Sequence, residues 1–419
     1  MRGKKYDRRK KVKPVERSDW ADLEIPLGKR TKKYRLLEIL PGALSYTMII
    51  LLFALSIISP ALGSYYLLLI IAVTLVKAVG IVYRTIQGYN AAKRAEKVNW
   101  HERLVDLKTP HERYEELLKH KCKEFAFNEH VENLKLLSVG KDLVLSESEV
   151  VVDDPISFPK PKEIYHAVIM VAYNEGLETL IPTVEAVRDG SFDNERIIFV
   201  FGYEERGGEA MVENAKVLKE KFKNDFFEFI TVMHPKDLKD EIQGKGPNLN
   251  FAAGELLEFV KKKKIPLKNI IVTSLDSDNK MSKWYLDYVA YQFIVHPNRQ
   301  HLSYQPVSLF TNNIWDAPAP MRIIAISNSF FNIISSMRSH TLKNFASHSQ
   351  PLLALSEMGF WSKKTIVEDG HQYWRSLFFF KGNYEVLPIH VAIYQDAVME
   401  ETLIKTLKAQ FVQLRRWDY

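Results

Sequence analysis

The chain has 419 residues, 46% of them hydrophobic, which excludes a wholly disordered protein and leaves room for one large domain or two ordinary ones. Its formal charge of +7 is concentrated in the first 39 residues, where 14 Lys/Arg face 6 Asp/Glu; the remainder is near neutral, so no nucleic-acid-binding face is indicated. A single cysteine, Cys122, excludes an internal disulfide and fits a reducing compartment.

Residues 1–39 read as a basic cytoplasmic tail that lacks the apolar segment and cleavage site of a secretory signal. Residues 40–84 contain two apolar runs, Ala43–Ser59 and Ala61–Tyr83, of 17 and 23 residues. At about 1.5 Å per residue they give roughly 26 and 35 Å of helix, enough to cross a hydrocarbon core. Pro60 and Gly63 are expected to supply the turn. The first run has no charge and the second only Lys77. Basic residues before the first helix and after the second (Arg84, Lys93, Arg94, Lys97) place both flanks in the cytoplasm. The expectation is a multi-pass protein of the cell membrane, with residues 10 and 250 cytoplasmic and the loop near Gly63 outside. Residues 85–160 are mixed and charged and read as a connector, with helical periodicity at Tyr114–Lys121 and a linker at Asp153–Pro161.

The last segment, 161–419, carries the α/β signal. Strands at 167–172, 196–201 and 226–233 alternate with helices near 178–188, 208–223 and 248–263, and a further strand ends at Asp276. Such alternation predicts right-handed βαβ units and a mostly parallel sheet. Helices are also expected at 370–380 and from about 400 to the end.

Several polar groups sit where these elements stop. Asp276 and Asp278 follow the run Ile270–Leu275, and side-chain alternation sends both to one side of the strand's carboxyl end, where open α/β sheets bind ligands. Two hard oxygen ligands there suit Mg²⁺ or Mn²⁺ with positions left for diphosphate oxygens; they equally suit a polar turn. Tyr173 and Glu175, in Ala172-Tyr173-Asn174-Glu175, lie where a nucleotide base or ribose would be touched, or in an ordinary strand-to-helix turn. Lys245, within Gln243–Asn248 and directly before a helix, suits phosphate oxygens, although no Walker pattern is present. Glu368 and Asp369 follow Thr365–Val367 at a helix start, where carboxylates are caps or, for Asp369, a general base. Gln413, Arg416 and Trp417 close the final helix. They fit an amphipathic helix on a membrane surface, or a Trp face stacked on a sugar ring with Gln and Arg donating to it.

In this order, Ala-Tyr-Asn-Glu, Lys245, Asp276-Ser277-Asp278, Gln305-Pro306, Glu368-Asp369 and Gln413-x-x-Arg416-Trp417 resemble the motif set of membrane-integrated family 2 glycosyltransferases, the cellulose synthase and hyaluronan synthase group. The resemblance covers residues 166–417. It implies a GT-A, Rossmann-like fold and inverting transfer from a nucleotide-diphosphate sugar, usually a UDP-sugar, to a growing polysaccharide. Asp276 and Asp278 would hold the divalent metal and diphosphate, Lys245 the donor, and Asp369 would be the catalytic base with Glu368 beside it. Gln413, Arg416 and Trp417 would line the junction of pyrophosphate and acceptor, with Gln305-Pro306 as the acceptor-side loop. Two departures stand out. Phe201-Gly202-Tyr203-Glu204-Glu205 replaces the family's Asp-Asp-Gly, leaving Glu204 or Glu205 as the base-contacting acid, and Val367 replaces a Thr. The implied partners are a nucleotide sugar, a glycan or lipid-linked acceptor, and the bilayer. In the family further membrane helices follow the last motif, so the chain is expected to be C-terminally truncated. A single-transfer glycolipid or polyprenyl-phosphate sugar synthase and a catalytically idle membrane adaptor are the alternatives.

Overall fold

The computed structural model describes residues 31–120, 122–138 and 158–417, with the backbone alone at Trp417. The basic tail through residue 30, most of the Asp153–Pro161 linker, Asp418 and Tyr419 lie outside the described residues. The chain divides into two compact units, Ile25–Gly88 and the body formed by Tyr89–Tyr419.

The first unit holds α1 (Lys32–Ile58) and most of α2 (Pro60–Ala95). Both helices outrun the apolar segments, α1 even through Pro41 and Gly42, and Thr31 caps α1 by accepting from the Tyr34 N–H at 3.2 Å. Only Ser59 separates them, in an extended conformation, and Pro60 opens α2 where its missing N–H costs nothing. Gly63 is therefore not in the turn, as the sequence suggested, but inside α2. A Cβ there would come within 2.9 Å of the Ser56 Cα, so its role is to let α2 lie close against α1. No residue of α1 is buried, and both helices are long and apolar enough to cross a membrane.

The second unit continues with α3 (Trp100–Asp106), α4 (Pro110–Leu117), α5 (Phe127–Ser138), β1 (Tyr165–Ala172), α6 (Leu177–Arg188), β2 (Ile197–Glu204), α7 (Gly208–Phe222), β3 (Glu228–His234), α8 (Lys245–Lys262), β4 (Ile270–Asp276) and β5 (Lys280–Met281). It ends with α9 (Tyr285–Val295), β6 (Leu302–Phe310), α10 (Ala319–Ser336), β7 (Ser349–Pro351), α11 (Leu352–Glu357), α12 (Glu368–Phe379), β8 (Glu385–Gln395) and α13 (Leu403–Trp417). The strands form one sheet in the order β3-β2-β1-β4-β7-β6-β8-β5. β1 to β4 are mutually parallel, β6 and β8 share their direction, and the short β7 and β5 run the other way.

β1 shows why this half is legible. Seven of its eight residues are buried, as expected of a parallel strand covered on both faces. Val168, Met170 and Ala172 join a core with α6, α7 and α9, while Ala167, Ile169 and Val171 join another with α8 and α11. The first half of the segment read as a connector enters the same packing. Trp100 stacks on Tyr288 of α9 with ring centroids 3.5 Å apart, and His130 bridges Tyr291 (2.9 Å) and Asp106 (3.1 Å), which also takes Arg113 at 2.7 Å.

Candidate functional site

Four chain segments meet at the carboxyl ends of the parallel strands. β4 delivers Asp276. The turn after it, carrying Asp278, is tied down from outside: the Thr183 hydroxyl donates to the Ser277 carbonyl at 2.6 Å, and Asn312 Nδ2 donates to the carbonyls of Asp278 (3.1 Å) and Tyr394 (3.2 Å). Lys245 belongs to the first turn of α8, three residues earlier than the sequence suggested. Pro247 tolerates that position because N–H groups of a first helical turn have no intrahelical acceptor. Asn248 donates from this turn to the carbonyls of Ala172 and Gly202, both at 3.4 Å, and so fixes α8 to the ends of β1 and β2. The fourth segment is the start of α12, which carries Glu368 and Asp369.

Lys245 joins these pieces. Its Nζ lies 2.5 Å from Asp276 Oδ1 and 3.2 Å from Glu368 Oε1. Burial works against the ammonium charge, but Asp276, Glu368 and Asp369 outweigh it and hold the lysine above its ordinary pKa. Burial raises the Glu368 carboxyl against the pull of Lys245, with Asp369 and Asp276 adding to the rise. Asp369, half-buried, accepts the Gly370 N–H at 2.7 Å. The Asp278 carboxyl is pushed up to about 7, first by burial and then by Asp276 and Asp396. Five carboxylates, Asp276, Asp278, Glu368, Asp369 and Asp396, thus act on one another at this end of the sheet, with the Lys245 ammonium paired to two of them.

Among the described residues no group of three or more His, Cys, Asp or Glu side chains forms a ready-made metal cage. Asp276 and Asp278 nonetheless fit Mg²⁺ or Mn²⁺, which binds through one or two carboxylates and completes its shell with water and phosphate oxygens.

The other expected residues divide. Glu204 pairs with Arg206, and Glu205 accepts the Lys236 N–H at 3.0 Å. Tyr173 is exposed, with the Arg206 guanidinium 4.8 Å from its ring centroid. Glu175 turns back on its own loop, accepting the N–H groups of Tyr173 (2.7 Å) and Asn174 (3.0 Å). Gln305 is not on an open acceptor-side loop but buried within β6. Its Oε1 accepts the Phe345 N–H at 2.7 Å, because a polar side chain inside a sheet must find a partner there. On α13, Gln413 accepts from Gln410 Nε2 at 3.1 Å and Arg416 is exposed; the described contacts do not bring either to Asp276 or Asp369. Sequence reasoning missed Arg206 and Asp396. Asp396 had a usable signal, since it follows the apolar alternation of β8 as Asp276 follows β4.

No protein-family model matches the sequence, and no curated protein matches it. Among solved structures it is similar to the mannosyltransferase PcManGT from Pyrobaculum calidifontis in complex with GDP-Man and Mn2+, at 13% identity over 76% of this chain and 76% of that one, with a TM-score of 0.39. It is also similar to S. aureus TarS 1–349 in complex with UDP-GlcNAc, at 15% identity over 57% of this chain and 60% of that one, TM-score 0.34. A third is GalNAc-T7 with UDP, GalNAc and Mn2+, at 9% identity over 59% and 48%, TM-score 0.34. These are likenesses of fold.

Proposed function

We propose that the chain is a GT-A glycosyltransferase that moves a sugar, with inversion, from a nucleotide-diphosphate donor to a glycan or lipid-linked acceptor at a membrane. The observation that carries this reading is Lys245, whose ammonium spans the Asp276 carboxylate at the end of β4 and the Glu368 carboxylate at the start of α12. Donor-side and acceptor-side groups that are 92 residues apart in sequence are thereby held around one charge.

Single displacement needs two things of these residues. The acceptor hydroxyl must lose its proton as it attacks the anomeric carbon, a task that suits Asp369 at the mouth of α12. Negative charge then grows on the departing diphosphate, where the Lys245 ammonium and the positive end of the α8 dipole suit it. Asp276 and Asp278 would hold the divalent ion, which when bound supplies Lewis-acid stabilisation of the leaving group. Transfer to a growing polysaccharide and a cytoplasmic position for residues 89–417 are the finer parts of the proposal, supported by the order of motifs and the basic flanks of the two long helices.

The test is transfer from a panel of radiolabelled nucleotide sugars by the full chain in lipid nanodiscs. Activity should require Mg²⁺ or Mn²⁺ and vanish in Asp278→Asn. Asp369→Asn should retain donor binding while transfer falls by on the order of 10² to 10⁴. Near-normal transfer by that variant would reduce Asp369 to a helix cap, and full activity in excess chelator would remove the metal.

A further inference from the structure

Beside the Lys245 cluster lies a cavity of about 340 Å³, lined by Glu204 and Arg206 at the end of β2, His234 at the end of β3, and Gln243 and Gly244 immediately before Lys245. Gly244 lines it and Lys245 is the next residue, which makes it the candidate seat for a nucleoside whose diphosphate Lys245 holds. The polar groups inside are arranged by the protein itself. Arg206 donates to Glu204 through one terminal nitrogen and to Gln243 Oε1, at 3.0 Å, through the other, while its central carbon lies 4.8 Å from the Tyr173 ring centroid. A second pair is His234 with Glu241 at 3.0 Å, and Glu241 also takes Lys363 at 2.7 Å. Lys236 and Asp237 also line the cavity, and at its β2 end the Glu204 carboxylate lies beside the Arg206 guanidinium.

That pattern discriminates among nucleobases. A carboxylate is acceptor-only with room for about four hydrogens, and a guanidinium is donor-only with five. Guanine offers two adjacent donors, N1–H and the 2-amino group, next to the O6 acceptor, so the carboxylate takes both donors while the guanidinium takes O6. Uracil has a single N–H flanked by two carbonyls, so the second carboxylate oxygen would face a lone pair. Adenine and cytosine each offer one amino group beside a bare ring nitrogen, which again opposes the carboxylate. We infer that Glu204 and Arg206 read a guanine base, making the donor a guanosine-diphosphate sugar rather than the UDP-sugar that the family resemblance suggested. This rests on the nucleotide-sugar reading above and assigns Glu204 and Arg206 as its specificity-determining pair.

The experiment measures binding of GDP, IDP, UDP, ADP and CDP to the full chain in nanodiscs with Mg²⁺, by calorimetry. GDP should bind about tenfold or more tighter than UDP, and tighter than IDP, which lacks only the 2-amino group, by a similar factor. Glu204→Gln should erase the difference between GDP and IDP. UDP binding as tightly as GDP, or GDP and IDP binding alike in the unmodified chain, would overturn the guanine assignment while leaving the nucleotide-sugar reading standing. Binding of none of the five would overturn both. The GDP and IDP comparison needs no variant, so it holds even if Glu204→Gln fails to fold.

Discussion

Gly246 offers a sharp test of how the site is held together. It follows Lys245 in the first turn of α8, and a Cβ at this position would lie 2.5 Å from the Ser362 carbonyl oxygen and 3.1 Å from the Glu368 Cβ. Ordinary carbon contacts begin near 3.4 Å, so Gly246→Ala requires about 0.9 Å of movement between the start of α8 and the strap leading into α12. The nearer obstacle is backbone and cannot rotate away. Overpacking of this kind costs about 1–3 kcal/mol. On the proposed function, a displacement near 1 Å between Lys245 and Glu368 costs about 10²-fold in rate. Gly254→Ala, in the same helix with open space around it, is the control and should gain about 0.5–1 kcal/mol at unchanged activity. Thermal unfolding in detergent and a transfer assay on the same preparations read both quantities. If Gly246→Ala melted and turned over like the parent, the claim that Lys245 and Glu368 are held by close backbone contact would be wrong.

Two further predictions concern the folded body. His166, His348 and His390 are all pulled below the ordinary imidazole pKa by burial, His166 to about 3 and His390 to about 4. Their unfolded counterparts titrate near 6.5, so between pH 6.5 and 4 the unfolded chain takes up protons that the folded chain refuses. Stability should be fully present above pH 6.5 and fall steadily below it; a flat unfolding midpoint from pH 7 to 4.5 would contradict the buried neutral imidazoles. Trp100→Ala removes a fully buried ring stacked on Tyr288 and the indole donation to the Ala95 carbonyl at 3.0 Å. Chemical denaturation should report a loss of about 3–5 kcal/mol, and a loss below 1 kcal/mol would mean that α3 adds nothing to the core.

The half of the sheet that was legible in sequence is the half whose strands are apolar throughout. β1, β2 and β4 are buried on both faces and lie between helices, so runs such as Ala167–Ala172 announce themselves. β6 was opaque for the opposite reason. Ser303, Gln305 and Ser308 are buried in it, and Pro306 interrupts it, so it reads as a loop. What makes the strand possible is Asn344, which accepts from Ser303 at 2.8 Å, and Phe345, which donates to Gln305, and neither partner has any periodic relation to β6. The same distinction runs through the site. Asp276, Asp278, Glu368 and Asp369 were visible because carboxylates ending apolar runs are conspicuous, whereas Lys245 pairing with Asp276 and Arg206 reaching across to Gln243 follow from the way the βαβ units stack.

Glu96 carries a consequence for the protein's behaviour in crowded surroundings. Its carboxylate accepts the Ala392 N–H at 3.0 Å and the Ser282 hydroxyl at 2.8 Å, at the rim where β8 is covered by only the two residues of β5. A rim strand with a free N–H invites the strand of another molecule to add to the sheet. Here the inviting group is already occupied by a charged side chain that cannot propagate a ladder, and an incoming strand would have to leave that charge without its partners. One glutamate, far from the sheet in sequence, thus occupies the N–H that β8 would otherwise offer at this margin.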